Sequence, residues 1–132
     1  VRLGKADVLT SIMDVEEMLP AVAQGAVGVE IRDSDDRLRA LLAPLNHADT
    51  AVRVAAERAM LAALDGSCRT PIGALAEFDG PDALIMTGLV ASPDGKRVHR
   101  KSERGARGDA AALGEALGAA LKAAAGPDLF GV

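Results

Sequence analysis

Residues 70–103 read TPIGALAEFDGPDALIMTGLVASPDGKRVHRKSE, and this stretch decides the fold. Two apolar runs with β-branched residues, TPIGALAEF and ALIMTGLVAS, stand on either side of the turn formers DGPD. Each is expected as a strand. Residues 92–95, SPDG, have turn chemistry at every position, so KRVHRKSE is expected as the returning strand of a hairpin.

Helical patterns flank these strands. On the N-terminal side, NHADTAVRVAAERAMLAALDG predicts a helix from about Asp49 to Asp65, stopped by Gly66. Its inward stripe is expected to be Val52, Ala55, Ala56, Ala59 and Ala63. Arg53 is spaced i, i+4 from both Asp49 and Glu57, which places all three on an outer face. On the C-terminal side, GDAAALGEALGAALKAAAGP predicts a helix capped by Asp109, lined by Leu113, Leu117 and Leu121, and closed by Gly126 and Pro127. Gly114 and Gly118 each cost about 1 kcal/mol relative to Ala in a helix interior, and they are read as marks of close packing against a sheet. The order helix, three strands, helix gives an α+β fold: a small antiparallel three-stranded sheet covered by helices.

Upstream the pattern changes. Residues 8–24 lack a sustained period and contain Pro20, so they are read as a connector with one short strand at most. Residues 26–32, AVGVEIR, alternate cleanly, with Val27, Val29 and Ile31 on one face; this predicts a half-buried strand. A short helix then follows, with Ser34 as N-cap and Asp35 and Asp36 in its first turn. Leu38, Leu41, Leu42 and Leu45 form its apolar face, and Pro44 ends it. The opening VRLGKAD has Gly4 placed like a helix C-terminal glycine with hardly any helix ahead of it, so the chain is expected to begin inside something larger.

Composition narrows the function classes. The 132 residues suit about one domain of the usual ~100–200 residues. There are two Phe and no Trp or Tyr, so aliphatic residues and alanine must fill the core, and the stacking platforms of single-strand nucleic-acid binders are missing. A net charge of −4 gives no drive toward nucleic acid or anionic membranes. No apolar run approaches the ~20 residues of a membrane span, and Lys5 and Asp7 interrupt any signal-peptide layout. A single cysteine cannot form an internal disulfide, and the reducing cytoplasm is the expected location.

Few residues are candidates for chemistry. Lys96, Arg97, Arg100, Lys101, Arg104 and Arg107 form a basic cluster, read as the charged solvent face of an edge strand rather than an anion site. His47 and His99 have no second ligand at zinc spacing, so no metal site is expected; His47 reads as a helix-entry residue and His99 as an exposed strand residue. Residues 24–28, QGAVG, fail as a dinucleotide fingerprint, because the glycine spacing is wrong and the loop runs into a strand. They still permit close backbone approach of a ligand. Cys68 is the remaining candidate. A lone cysteine is more often a small buried hydrophobe, yet this one lies in a Gly/Ser loop just past a helix C-terminus. The negative helix end disfavours a thiolate there and Arg69 favours it. Such a site suits a thiol modified once better than one that turns over repeatedly.

Three motifs, LPAVAQGAVGVEIR, LNHADTAVRVAAERAML and LDGSCRTPIGALAE, occur in this order and at separations that resemble the hydroxymethylbilane synthase (porphobilinogen deaminase) family. The resemblance covers essentially the whole chain but only the C-terminal portion of family members. It implies that residues 1–19 end a second domain and that residues 20–45 return to a first domain, both like periplasmic binding proteins. Residues 46–132 would form the third, cofactor-attachment domain. It implies a dipyrromethane cofactor linked to Cys68 by a thioether, and a transferase that joins four porphobilinogen units into hydroxymethylbilane with release of ammonia, in tetrapyrrole and haem biosynthesis. Gln24, with Ala23 and Gly25, would line the pyrrole-binding cleft. Catalytic residues would lie in the missing N-terminal domains of the same chain, and a monomer is implied. Two positions depart from the family pattern: Ser67 and Ala23 stand where glycine is common. The competing reading is a stand-alone small-molecule or protein-interaction module with an incidental thiol.

Overall fold

The apolar alternation of residues 72–91 becomes a sheet because every second side chain finds the same apolar layer beneath it. A computed structural model of the chain describes residues 4–65 and 71–127. Strands β1 (Ile72–Phe78), β2 (Ala83–Ala91) and β3 (Val98–Ala106) form an antiparallel sheet in the order β1-β2-β3. Register pairs Ala74 with Gly88, Ala76 with Met86 and Phe78 with Leu84 across one junction. Across the other it pairs Val90 with His99 and Thr87 with Ser102. The β2–β3 turn is held by Ser92, whose hydroxyl donates to Asp94 Oδ1 (2.6 Å) and whose amide donates to Arg97 O (2.8 Å). Gly95 takes the left-handed conformation this turn requires (φ 71°).

Helices α2 (Ala48–Ala63) and α3 (Ala110–Ala125) cover one face of the sheet and pack on each other. Met60, Leu84, Met86, Val90, Leu117 and Leu121 are fully buried between the layers, so thioethers and aliphatics fill the space that aromatics usually take. Gly114 and Gly118 do mark a close approach, but the partner is α2 and not the sheet. A Cβ at Gly114 would lie 2.0 Å from the Ala56 carbonyl oxygen, and one at Gly118 would lie 2.8 Å from the Met60 carbonyl oxygen. Bare glycine backbone lets the two helices meet almost backbone to backbone.

Helix α2 is rotated from the expected phase. Ala56, Met60 and Leu64 are buried, Val52, Ala59 and Ala63 are half-buried, and Ala55 faces solvent. Met60 and Leu64 carry more apolar area than any alanine, so they set the rotation. His47 is the N-cap, its ring nitrogen accepting from Thr50 N (3.3 Å). Asp109 occupies the N-cap position of α3 without a side-chain hydrogen bond. The stop expected at Gly66 lies outside the described residues.

The upstream segment departs further from expectation. Helix α1 (Asp36–Leu42) is capped by Asp35, which accepts from Leu38 N (2.9 Å), and not by Ser34. A 3-10 turn carries the chain on through Ala43–Leu45 past Pro44. Its leucines do not reach a core: Leu41 and Leu45 are exposed. Residues 26–32 form no strand, and Val27 and Val29 are 87% and 66% exposed. Alternation provides a face, but a strand also needs a neighbour for its N–H and C=O groups, and none lies beside it among the described residues. Residues 9–24 are turns and extended chain, as a connector should be, with no strand.

Candidate functional site

One edge of the sheet, the outer side of β1, would leave backbone N–H and C=O groups unpaired. It is finished by groups from two other parts of the chain. Ala74 N donates to Pro20 O (2.9 Å), Ala76 N donates to Glu57 Oε1 (3.0 Å), and Arg53 Nε donates to Ala76 O. The second Glu57 oxygen, Oε2, accepts from Ala23 N (2.7 Å). Glu57 is therefore not on the outer face of α2. It is 5% exposed, and its carboxylate joins α2, β1 and the 20–26 loop. Arg53 likewise turns to the sheet edge, and Asp49 pairs with Arg107 instead of with Arg53. A buried carboxylate is tolerated here because both oxygens are hydrogen-bonded, and bonds of this charge-assisted kind contribute about 1.5–3 kcal/mol each.

These contacts shape the loop that carries the predicted cleft residues. Gln24 N bonds to Ala21 O (3.0 Å) and Ala26 N to Ala23 O (3.2 Å), which makes two successive turns. Ala23 and Gly25 adopt positive φ (58° and 82°). For alanine that conformation costs roughly 1–2 kcal/mol, comparable to what the bond from its N–H to Glu57 supplies. Val22 packs against the core, whereas Gln24 is exposed. Between the loop and α2 lies a cavity of about 210 Å³, bordered by Pro20, Gln24, Gly25, Thr50, Arg53 and Glu57. The structure thus brings Ala23, Gln24 and Gly25 together on one turn at the edge of this cavity.

Cys68 lies outside the described residues, but the described residues on either side of it are anchored. On one side Lys122 of α3 pairs with Asp65. On the other, Pro71 O accepts from Ala91 N (2.9 Å), which continues the β1–β2 ladder. Four residues of the basic cluster are paired within the chain: Arg100 with Glu16 (3.1 Å), Arg104 with Asp79 (2.6 Å), Lys96 with Asp94 (3.4 Å) and Arg107 with Asp49. Arg107 also stacks over Phe78, 4.6 Å from the ring centroid. His99 is half-buried on β3, and among the described residues no three His, Cys, Asp or Glu side chains converge on one point. No helix among the described residues is long and apolar enough to cross a membrane.

Sequence reasoning missed Glu57 and Arg53. An i, i+4 Arg/Glu pair reads as a surface ion pair wherever it falls on a helix. The available signal was the accounting of β1: an edge strand needs acceptors, and a preceding helix with a Glu beside its apolar stripe can reach it.

A three-stranded antiparallel sheet covered by two helices, with an N-terminal loop clamped to its edge, defines a small α+β domain. Residues 51–123 match the family model described as "Porphobilinogen deaminase, C-terminal domain". Residues 1–40 match the one described as "Porphobilinogen deaminase, dipyromethane cofactor binding domain". The chain belongs to the porphobilinogen deaminase family. Two porphobilinogen deaminases from Acidithiobacillus ferrooxidans strains, ATCC 53993 / BNL-5-31 and ATCC 23270, are each 50% identical to it over 122 residues. The aligned region is 92% of this chain and 39% of each relative, so the chain spans well under half the length of the relatives it matches.

Proposed function

We propose that this chain is the C-terminal part of a hydroxymethylbilane synthase, the transferase that condenses four porphobilinogen units into linear hydroxymethylbilane with loss of ammonia. The observation that carries this reading is the match of residues 51–123 to the C-terminal domain of porphobilinogen deaminases, a range that includes Cys68. Residues 46–132 are then the third domain. Residues 1–19 and 20–45 belong to two preceding domains like periplasmic binding proteins, and the exposed Val27 and Val29 support this, since they have no partner among the described residues. The reducing cytoplasm, where a thiol stays available, is the proposed location, and a monomer the proposed state.

When bound, a dipyrromethane group supplies the primer to which the porphobilinogen units are added. Cys68 would hold it through a thioether, which requires positioning of the sulfur rather than a lasting thiolate. The pairing of Lys122 with Asp65 and the bond from Ala91 N to Pro71 O, on either side of Cys68 in the sequence, support this reading. Gln24 would present its amide to the pyrrole cleft, with the Ala23 and Gly25 backbone beside it. Glu57 and Arg53 both border the cavity at this loop, and both Glu57 oxygens are already engaged on backbone N–H groups.

The test uses the full-length protein. Intact-mass measurement of wild type and Cys68→Ala is expected to differ by the attached dipyrromethane in addition to the side-chain change. Masses that differ only by the side chain refute the assignment. This chain by itself should not turn over porphobilinogen, because general acid–base groups worth ~10²–10⁴-fold are assigned to the preceding domains.

A further inference from the structure

Glu57 accepts from the Ala23 backbone on the loop bearing Gln24 and from Ala76 of β1, the strand that follows Cys68 in the sequence. We propose that Glu57 is a positioning residue: its carboxylate fixes the 23–25 loop in register with the cofactor-carrying domain, and substrate binding depends on that register. The inference rests on the reading of Gln24 as a cleft residue given above.

Three observations support it. The two acceptor oxygens are divided, Oε2 to Ala23 N at 2.7 Å and Oε1 to Ala76 N at 3.0 Å, so one rigid group ties two segments far apart in sequence. Ala23 is held at φ 58°, a conformation that costs alanine roughly 1–2 kcal/mol and that the bond from its N–H to Glu57 offsets. Glu57 is 5% exposed, so water cannot readily take over either bond. A carboxylate is required because both partners are donors. Glutamine has one acceptor oxygen and an NH2 group that would meet the second N–H head-on, so Glu57→Gln retains shape and releases one of the two bonds.

The test compares wild type, Glu57→Gln and Gln24→Ala in the full-length, cofactor-loaded enzyme. In Glu57→Gln, exchange of the 21–25 amides is expected to rise about tenfold or more, the loss of one charge-assisted bond, while the β2–β3 amides keep their protection. Cofactor loading by mass is expected to match wild type, and kcat/KM to fall mainly through KM. Unchanged exchange at 21–25 overturns the proposal. So does a rise shared equally by β2 and β3, which would mean a merely structural role. If Gln24→Ala raises KM but Glu57→Gln does not, the clamp is wrong and the cleft reading stands. If Gln24→Ala leaves KM unchanged, the cleft reading itself fails and this inference falls with it.

Discussion

Replacing Gly114 with alanine sets two well-known effects against each other. In an ordinary helix interior, Gly→Ala stabilises by about 1 kcal/mol. Here the added Cβ would sit 2.0 Å from Ala56 O and 2.9 Å from Ala56 C, whereas ordinary contact begins near 3.4 Å. The obstacle is helix backbone, which cannot rotate away, so α2 and α3 must separate by roughly 1.4 Å, the difference between those two distances. Overpacking of this kind costs about 1–3 kcal/mol, at times more. A gap of 0.5–1 Å forfeits about a quarter to a half of each dispersion contact along the interface, where Met60, Leu117 and Leu121 are fully buried. Subtracting the helix-propensity gain of about 1 kcal/mol leaves a net destabilisation of up to about 2 kcal/mol. Urea unfolding followed by far-UV circular dichroism measures it. Gly118→Ala, whose Cβ would meet Ala63 Cβ at 2.7 Å and Met60 O at 2.8 Å, should cost less. Gly108→Ala, with nothing within 4 Å, should fall within about ±0.5 kcal/mol. Stabilisation of Gly114→Ala by about 1 kcal/mol would refute the backbone-to-backbone packing.

Acid should weaken the β2–β3 hairpin through Asp94, whose carboxyl is held below the ordinary aspartate value by the Ser92 hydroxyl first and the Lys96 N–H second. Because its folded value lies below its unfolded one, its contribution is present above the unfolded value and is lost as pH falls through the folded one. Stability of wild type and Asp94→Asn should therefore differ at about pH 6 and converge in strong acid, and parallel curves would remove Asp94 from the account. Limited trypsin digestion of the 132-residue chain by itself should cut first after Arg32 or Arg37, which are exposed on the segment with unpartnered apolar residues, leaving α2 through α3 intact by mass. A first cut inside α2 would contradict the placement of the core.

What was legible in the sequence was what local chemistry specifies. DGPD and SPDG delimit the strands because turn residues act over four positions, and the helix–strands–helix order follows without knowledge of any partner. Gly114 and Gly118 announced a close approach, but a missing side chain does not say which surface comes near, and the helix won over the sheet. The phase of α2 was misjudged because alanines lie all around it; Met60 and Leu64, with the larger apolar area, fix its rotation. The 26–32 alternation was real as a pattern and insufficient as a strand. Ala23, Gln24 and Gly25 are named as cleft residues by resemblance alone, and the structure shows which contacts hold their loop.

The two edges of this sheet are protected by different means, and the difference connects fold to function. Strand β3 carries charge outward, with Arg100 and Arg104 paired to Glu16 and Asp79, so another strand approaching that edge meets ionic side chains. Strand β1 is covered instead. Pro20 O, Glu57 and Arg53 take its outward N–H and C=O groups, and Leu19 and Pro20 lie so close to Gly73 that a Cβ there would meet their carbonyl oxygens at 3.2 Å. A Cβ at residue 73 would require this connector to give by a few tenths of an ångström. Residues 19–23 are therefore part of the sheet's hydrogen-bond satisfaction as well as the approach to Gln24. The contacts of Pro20 and Glu57 that cover this strand edge also hold the Gln24 loop beside the strand that follows Cys68 in the sequence.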